Sequence, residues 1–130
     1  MSEKRILLVD DEPTVLRVLR LQLQRAGYEV DTAPNGEVAL EKIRSAAPDV
    51  LITDIEMPRM TGEELCQAIQ REFPERRFPI FVATSLTGMR HREWTRDFVL
   101  LDFLEKPLSA RKLLATLAEY FDSIASEATL

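Results

Sequence analysis

The stretch "DIEMPRMTG", residues 54–62, places an aspartate after an apolar run and follows it with a methionine-proline pair and a glycine. The apolar run before it, "DVLIT" at 49–53, has the composition of a buried strand. Thr61 and Glu64 form a capping-box pattern ahead of "ELCQAIQREF", which begins a helix. The stretch therefore predicts a buried strand joined to a helix, with Asp54 closing the strand.

The same order of strand and helix recurs along the whole chain. Strands are predicted at "RILLVD", "YEVDTA", "DVLIT", "PIFVAT" and "LDFLE". Helices are predicted at "TVLRVLRLQLQRAG", "NGEVALEKIRSAAP", "ELCQAIQREF", "GMRHREWTRDFV" and "ARKLLATLAEYFDSIA". Because buried strands that alternate with helices form parallel sheets with a helix layer on each face, the pattern predicts a five-stranded, three-layer α/β/α domain.

Composition limits the possible functions. The 130 residues suit one domain, 1–130, in which "SEATL" at 126–130 is predicted to be a frayed end. Lys and Arg number 17 against 22 Asp and Glu, and the net charge of −5 argues against a nucleic-acid partner. No apolar run reaches the roughly 20 residues of a membrane span, and the first residues do not resemble a signal peptide, so a cytoplasmic location is predicted. Cys66 is predicted to be a buried apolar residue without a role.

Polar side chains follow four of the predicted strands. They are Asp10, Asp11 and Glu12 after the first strand, Asp54 after the third, Thr84 and Ser85 after the fourth, and Lys106 with Pro107 after the fifth. In an open parallel sheet, ligands bind at the carboxyl ends of the strands, where these residues meet. Two carboxylates at ~4 Å and an effective dielectric of ~20 repel by about 4 kcal/mol. A cation must offset this repulsion, and Mg²⁺ fits because it binds through one or two carboxylates and completes its shell with phosphate oxygens.

This constellation is suited to an incoming phosphoryl group. A carboxylate such as Asp54 can form an aspartyl phosphate when a metal and Lys106 neutralise the charge on the transferred oxygens. The hydroxyl of Thr84 would donate to one of those oxygens. Without Asp10, Asp11 and Lys106, the better interpretation would be that Asp54 only ends its strand.

The fragments "LLVDDE", "DIEMPRMTG", "PIFVATS" and "FLEKP" resemble the receiver domain of two-component response regulators. Thr84 lies 30 residues after Asp54, and Lys106 lies 22 after Thr84, as in that family. The resemblance covers roughly residues 4–125. It implies a flavodoxin-like (βα)5 fold with a doubly wound five-stranded parallel sheet. It further implies that Asp54 takes a phosphoryl group from a sensor histidine kinase or a phosphotransfer protein.

The resemblance also implies a set of site residues. Asp10 and Asp11 would hold Mg²⁺ together with Asp54 and the backbone carbonyl of Glu56. Lys106 and Thr84 would contact the phosphoryl group. Such a domain would be a signalling switch, not an enzyme with a diffusible substrate, and would assist only its own phosphorylation and dephosphorylation.

The output predicted from the resemblance uses Thr84 and Phe103. Thr84 would move toward the phosphoryl group while Phe103 turns inward and reshapes the surface of the fourth helix, fifth strand and fifth helix. That surface would bind a downstream protein or a second copy of the domain. It carries a basic and aromatic set: Arg90, His91, Arg92, Trp94 and Arg96. An ordinary solvated helix with Trp94 packed on Phe98 explains the same residues.

Two other classes of protein remain open from the sequence. A phosphatase of the haloacid dehalogenase type also uses an aspartyl phosphate and a second acid two residues on, as Asp54 and Glu56 are spaced. Its nucleophile normally ends the first strand, however, and its second acid is aspartate. A docking module that keeps the fold but does not depend on phosphorylation is the other alternative.

Overall fold

The computed structural model describes residues 3–85, 93–96 and 98–129. Its five strands are β1 (Arg5–Val9), β2 (Glu29–Ala33), β3 (Val50–Asp54), β4 (Ile80–Thr84) and β5 (Leu101–Glu105). Its described α-helices are α1 (Pro13–Arg25), α2 (Gly36–Ser45), α3 (Gly62–Glu72) and α4 (Ala110–Thr129), and a 3-10 helix covers Glu93–Thr95. The strands agree with the predicted runs to within about a residue at each end, as expected for boundaries of this kind.

The sheet is parallel throughout, with the order β2-β1-β3-β4-β5. The chain therefore winds in one direction from β1 to β2 and in the other from β3 to β5, which places the topological switch point between β1 and β3. Cα pairing aligns Val9 with Thr53, Asp54 with Ala83, and Thr84 with Glu105. The carboxyl ends of β1, β3, β4 and β5 consequently lie side by side.

Both faces of the sheet are buried, as the apolar strands predict. Leu7 and Val9 of β1 pack in one core with residues of α2 and α3. Ile6 and Leu8 of the same strand pack in a second core with residues of α1 and α4. Because successive strand residues point to opposite faces, a strand covered on both sides must be apolar at every position. The three-layer flavodoxin-like architecture is confirmed.

Helix boundaries follow local sequence signals. Thr61 and Glu64 form the predicted capping box, with Glu64 N–H donating to Thr61 Oγ1 at 3.1 Å and Thr61 N–H donating to Glu64 Oε1 at 3.1 Å. Pro13 opens α1, where its missing N–H costs nothing. Cys66 is buried in α3, and this burial raises the pKa of its thiol to about 12, in agreement with a packing residue.

The last two helices of the chain are the elements that the sequence predicted least closely. Most of the predicted fourth helix, including Arg90, His91 and Arg92, lies outside the described residues. Within the described part, Glu93–Thr95 is a 3-10 helix, since Arg96 N–H and Phe98 N–H each bond three residues back. Helix α4 continues to Thr129, into the stretch predicted to fray. Its apolar face is buried at Leu113 and Leu117, whereas Ile124 is 37% exposed.

No helix within residues 3–85, 93–96 and 98–129 is both long enough and apolar enough to cross a membrane.

Candidate functional site

The strand ends bring the predicted site residues together at the switch point. Oxygen atoms of Asp10, Asp11 and Asp54 lie within 4.8 Å of one another. Lys106 Nζ lies 2.6 Å from Asp54 Oδ1. An open cleft of about 420 Å³ above them is lined by Asp11, Glu12, Asp54, Glu56, Met57 and Lys106. The grouping predicted from the strand ends is present in the structure.

Asp54 is the most constrained carboxylate of the group. Its side chain is 4% exposed, at the end of a strand whose every residue is buried. Its partner Lys106 is 37% exposed and reaches it from the turn after β5, where Lys106 N–H donates to Thr84 O at 2.8 Å. The carboxylate is thus held rigidly by the core while its tip faces the cleft.

Asp10 and Asp11 differ in burial. Asp10 is 7% exposed, and its Oδ1 accepts the N–H of Glu12 at 3.0 Å, whereas Asp11 is exposed. The pKa of Asp10 is raised, chiefly by burial and further by the negative charges of Asp54 and Asp11, although the Glu12 hydrogen bond and Lys106 oppose the shift. The part of this shift that comes from Asp54 and Asp11 reflects repulsion between neighbouring carboxylates, which a bound cation would relieve.

Lys106 carries the balancing charge. Burial acts to lower the pKa of its ammonium and is the largest single influence. The hydrogen bond to Asp54 and the charges of Asp54, Asp10 and Glu56 outweigh burial, so the pKa of Lys106 is raised. Lys106 therefore remains protonated at neutral pH.

Thr84, at the end of β4, has a buried hydroxyl at the same edge of the sheet. The residue is 1% exposed, and its Oγ1 has no hydrogen-bond partner among the residues that the structure describes. A buried polar atom without a partner costs about 1–3 kcal/mol, so such atoms are rare and need an explanation. The Thr84 hydroxyl is thus a candidate donor to an acceptor oxygen bound at this edge of the sheet.

Glu56 and Phe103 complete the predicted set. Glu56 lines the cleft, and its N–H approaches Asp54 Oδ1 at 3.4 Å. Phe103, on β5, packs partly buried against the core beneath α2 and α3. Its ring centroid lies 6.3 Å from that of Trp94, which also packs edge-on against Phe98 at 5.6 Å. The packing of Trp94 on Phe98 agrees with the interpretation in which Trp94 serves local packing and not the binding of a partner.

The loop from β3 to α3 returns tightly against Asp54. Gly62 N–H donates to Ile55 O at 2.8 Å, and a Cβ built on Gly62 would lie 2.4 Å from Asp54 O. Only glycine permits this approach. Thr53, which was not predicted to belong to the site, donates its hydroxyl to Asp54 O at 2.9 Å. No pattern in the sequence distinguishes it from other strand residues.

Gly62→Ala is expected to lower the free energy of unfolding by about 1–3 kcal/mol, because the added methyl meets the backbone of Asp54 and Ile55, which cannot move independently. Gly36→Ala is the comparison, since its Cβ would meet Cγ, Cβ and Sδ of Met60 at 2.7, 2.8 and 2.9 Å, and a side chain can shift further than the backbone can. Urea unfolding of both variants measures the difference. Equal losses of stability in the two variants would contradict the close approach at Gly62.

Comparisons with known proteins agree with this geometry. The family model described as response regulator receiver domain matches residues 6–118. The alkaline phosphatase synthesis transcriptional regulatory protein PhoP of Bacillus subtilis is 33% identical over 112 residues, which cover 86% of this chain and 46% of that protein. Response regulator MprA of Mycobacterium ulcerans is 39% identical over 111 residues, 85% of this chain and 47% of that protein.

Solved structures give the same result. The chemotaxis response regulator CheY4 of Vibrio cholerae superposes with a TM-score of 0.82 at 34% identity, covering 91% of this chain and 98% of that one. Response regulator TrrA of Thermotoga maritima, solved in complex with Mg(2+)-BeF, has a TM-score of 0.74 at 35% identity, with 89% and 97% covered. The chain belongs to the response regulator receiver domain family.

The chain is accordingly a phosphoacceptor signalling domain of the two-component type. It spans slightly less than half the length of the two regulators PhoP and MprA. Asp54 ends β3, the third strand along the chain, as predicted, whereas the nucleophile of a haloacid dehalogenase normally ends the first strand.

Proposed function

We propose that Asp54 is the phosphoacceptor of this domain and that its donor is a sensor histidine kinase or a phosphotransfer protein. The observation that carries the proposal is the contact between a buried carboxylate and an ammonium at 2.6 Å, with two further carboxylates beside it. An ordinary ion pair would not need Asp10 and Asp11 within 4.8 Å of Asp54.

In the proposed step, a carboxylate oxygen of Asp54 attacks the phosphorus of a phosphohistidine. The bond between phosphorus and the imidazole nitrogen breaks, its electron pair leaves with the nitrogen, and a proton from solvent neutralises the imidazole. Lys106 balances negative charge on the transferred oxygens, and the Thr84 hydroxyl donates to one of them. Attack by water on the acyl phosphate later releases inorganic phosphate.

The residues at the site fit a magnesium ion. Asp10, Asp11 and Asp54 supply hard oxygen ligands, which with the backbone carbonyl of Glu56 leave room for water and phosphate oxygens. TrrA was solved in complex with Mg(2+)-BeF, and in this chain three carboxylates lie close enough together to hold a metal ion. The bound ion would offset the repulsion between the carboxylates and neutralise charge on the phosphoryl oxygens.

The proposed output is a change in the surface around β5. Phosphorylation adds about −1.5 to −2 charge beside Thr84, which would draw its hydroxyl toward the phosphoryl group. Phe103 would then turn inward and move away from Trp94, its present neighbour. We infer that the reshaped surface of the 88–99 segment, β5 and α4 binds a downstream protein or a second copy of the domain.

We further propose that the chain forms one receiver domain, acts in the cytoplasm, binds no nucleic acid itself and turns over no diffusible substrate beyond its own phosphoryl group. The net charge of −5 supports a protein partner over a nucleic acid.

The proposal is tested by intact mass after incubation with Mg²⁺ and a small acyl phosphate. One added phosphoryl group is expected in the wild-type chain and none in Asp54→Asn or in the presence of excess chelator. Asp49→Asn is a suitable control because Asp49 lies at the opposite end of β3. An unmodified wild-type chain that still binds Mg²⁺ would favour the phosphorylation-independent docking module.

A further inference from the structure

Arg76 connects two segments that enter the sheet side by side. Its guanidinium donates to the carbonyl oxygens of Phe78 at 2.7 Å, Val99 at 2.5 Å and Leu100 at 3.4 Å. It also lies over the ring of Phe78, 5.8 Å from the centroid. Phe78 precedes β4, while Val99 and Leu100 precede β5. Arg76 therefore joins the beginnings of the two strands at the end of the sheet opposite Asp54.

The segment held by Arg76 is strained. Leu100 has φ of 52°, in the left-handed region that a leucine rarely adopts. Burial of side chains does not hold it there, since Val99 is 70% exposed and Leu100 is 48% exposed. Its carbonyl accepts Ile80 N–H at 2.8 Å as well as the Arg76 guanidinium. A strained residue persists only where its surroundings determine its conformation, and here hydrogen bonds do so.

The position of strand β5 depends on the contacts at its two ends. Among the residues that the structure describes, it is an edge strand that pairs only with β4, and none of its residues is fully buried. Phe103 lies at its centre, and Lys106 follows its last residue. A displacement at the start of β5 would therefore reach both the aromatic switch residue and the ammonium that contacts Asp54.

We propose that Arg76 is a positioning residue that fixes the start of β5 and thereby sets the position of Lys106 against Asp54 and of Phe103 against Trp94. Arg76 lies at the amino end of the sheet and acts only through the strand. The inference rests on the proposed phosphoacceptor function for its effect on the reaction, whereas its effect on β5 can be measured independently.

Hydrogen exchange of the full chain tests the effect on the strand. In Arg76→Gln, amides 101–106 are expected to exchange at least about tenfold faster than in the wild type, as the loss of one or two net hydrogen bonds implies. Arg77→Gln is the matched control, since it removes the same charge from an exposed neighbour and should change these rates by less than about twofold. Amides of β1 and β3 should keep their wild-type rates in both variants.

Two further variants show that hydrogen bonding by Arg76 is responsible. Arg76→Lys keeps the charge but cannot reach three carbonyls with one planar group, so an intermediate exchange rate is expected. Adding Leu100→Gly to Arg76→Gln should restore most of the protection, because glycine adopts a positive φ without strain. Equal protection of β5 in Arg76→Gln and Arg77→Gln would overturn the proposal, and so would faster exchange throughout the sheet.

The effect on the reaction is measured with the acyl phosphate and Mg²⁺. Phosphorylation of Arg76→Gln is expected to be about tenfold slower than that of Arg77→Gln, since a small displacement of a charged group is costly at such a site. The dissociation constant for Mg²⁺ should stay the same or fall, because Asp10, Asp11 and Asp54 lie at the ends of β1 and β3 and the group that is displaced, Lys106, carries a positive charge that opposes the ion. Weaker Mg²⁺ binding in parallel with slower phosphorylation would indicate general disruption and contradict positioning. If β5 exchanged faster in Arg76→Gln but no variant, nor the wild type, gained a phosphoryl group, the phosphoacceptor function would be overturned. The role of Arg76 in fixing the start of β5 would still be supported.

Discussion

Lys106→Met is expected to lower the free energy of unfolding by about 1–3 kcal/mol in metal-free buffer and to slow phosphorylation by roughly 100-fold or more. Asp54 is 4% exposed and would lose the ammonium 2.6 Å away, with Asp10 and Asp11 still beside it. Removing one partner of a fully buried pair costs about 3–5 kcal/mol, and the smaller value here reflects screening, since Lys106 is 37% exposed.

Magnesium separates this electrostatic effect from simple loss of packing. A cation bound by the three carboxylates replaces part of the missing positive charge, so Mg²⁺ should stabilise Lys106→Met by more than it stabilises the wild type. Lys112→Met is the control: its side chain is exposed on α4, and a change within about ±0.5 kcal/mol is expected. Both free energies of unfolding are measured in urea with chelator present. If Lys106→Met were as stable as the wild type under these conditions, the account of charge balance would be contradicted.

Thr84→Val should leave the unphosphorylated fold as stable as the wild type or more stable by roughly 1 kcal/mol, while abolishing the response to phosphorylation. The hydroxyl of Thr84 is buried without a partner in the described structure, so replacing it by a methyl group removes an unsatisfied polar atom. The phosphorylated variant, however, has no donor to draw toward the phosphoryl group. The emission of Trp94, which contacts Phe103, should then stay unchanged on phosphorylation.

Thr53→Val provides the matched comparison. Thr53 is equally buried, but its hydroxyl donates to Asp54 O at 2.9 Å, so its loss is expected to cost about 1 kcal/mol. The two substitutions are chemically identical and differ only in whether the hydroxyl has a partner. A clear loss of stability in Thr84→Val, comparable with that in Thr53→Val, would show that the Thr84 hydroxyl already has a structural role.

The grouping of Asp10, Asp54, Thr84 and Lys106 could be predicted from the sequence because parallel strands align their carboxyl ends. Each of these residues ends or directly follows a strand, and β1, β3 and β4 are apolar almost throughout. The positions of these four residues could therefore be predicted from the order and direction of the strands alone, without the conformation of any loop.

Arg76 and the strained Leu100 could not be predicted in this way. The hydrogen bonds from Arg76 to Val99 and Leu100 span 23 and 24 residues and depend on the path of two connecting segments. No local pattern encodes such a path, and a leucine with positive φ contradicts local preference. The 3-10 helix at Glu93–Thr95 was also missed. Trp94 in this turn packs on Phe98 and Phe103, and such contacts between segments are not encoded in a local pattern.

The central claim is that the phosphoryl group is attached to Asp54. After phosphorylation with the acyl phosphate and Mg²⁺, reduction with borohydride converts an aspartyl phosphate to homoserine, which peptide mapping by mass spectrometry can locate. The account predicts homoserine at position 54 and unmodified aspartate at positions 10 and 11. Homoserine at either of those two positions, or phosphate retained on a serine, threonine or histidine, would contradict it.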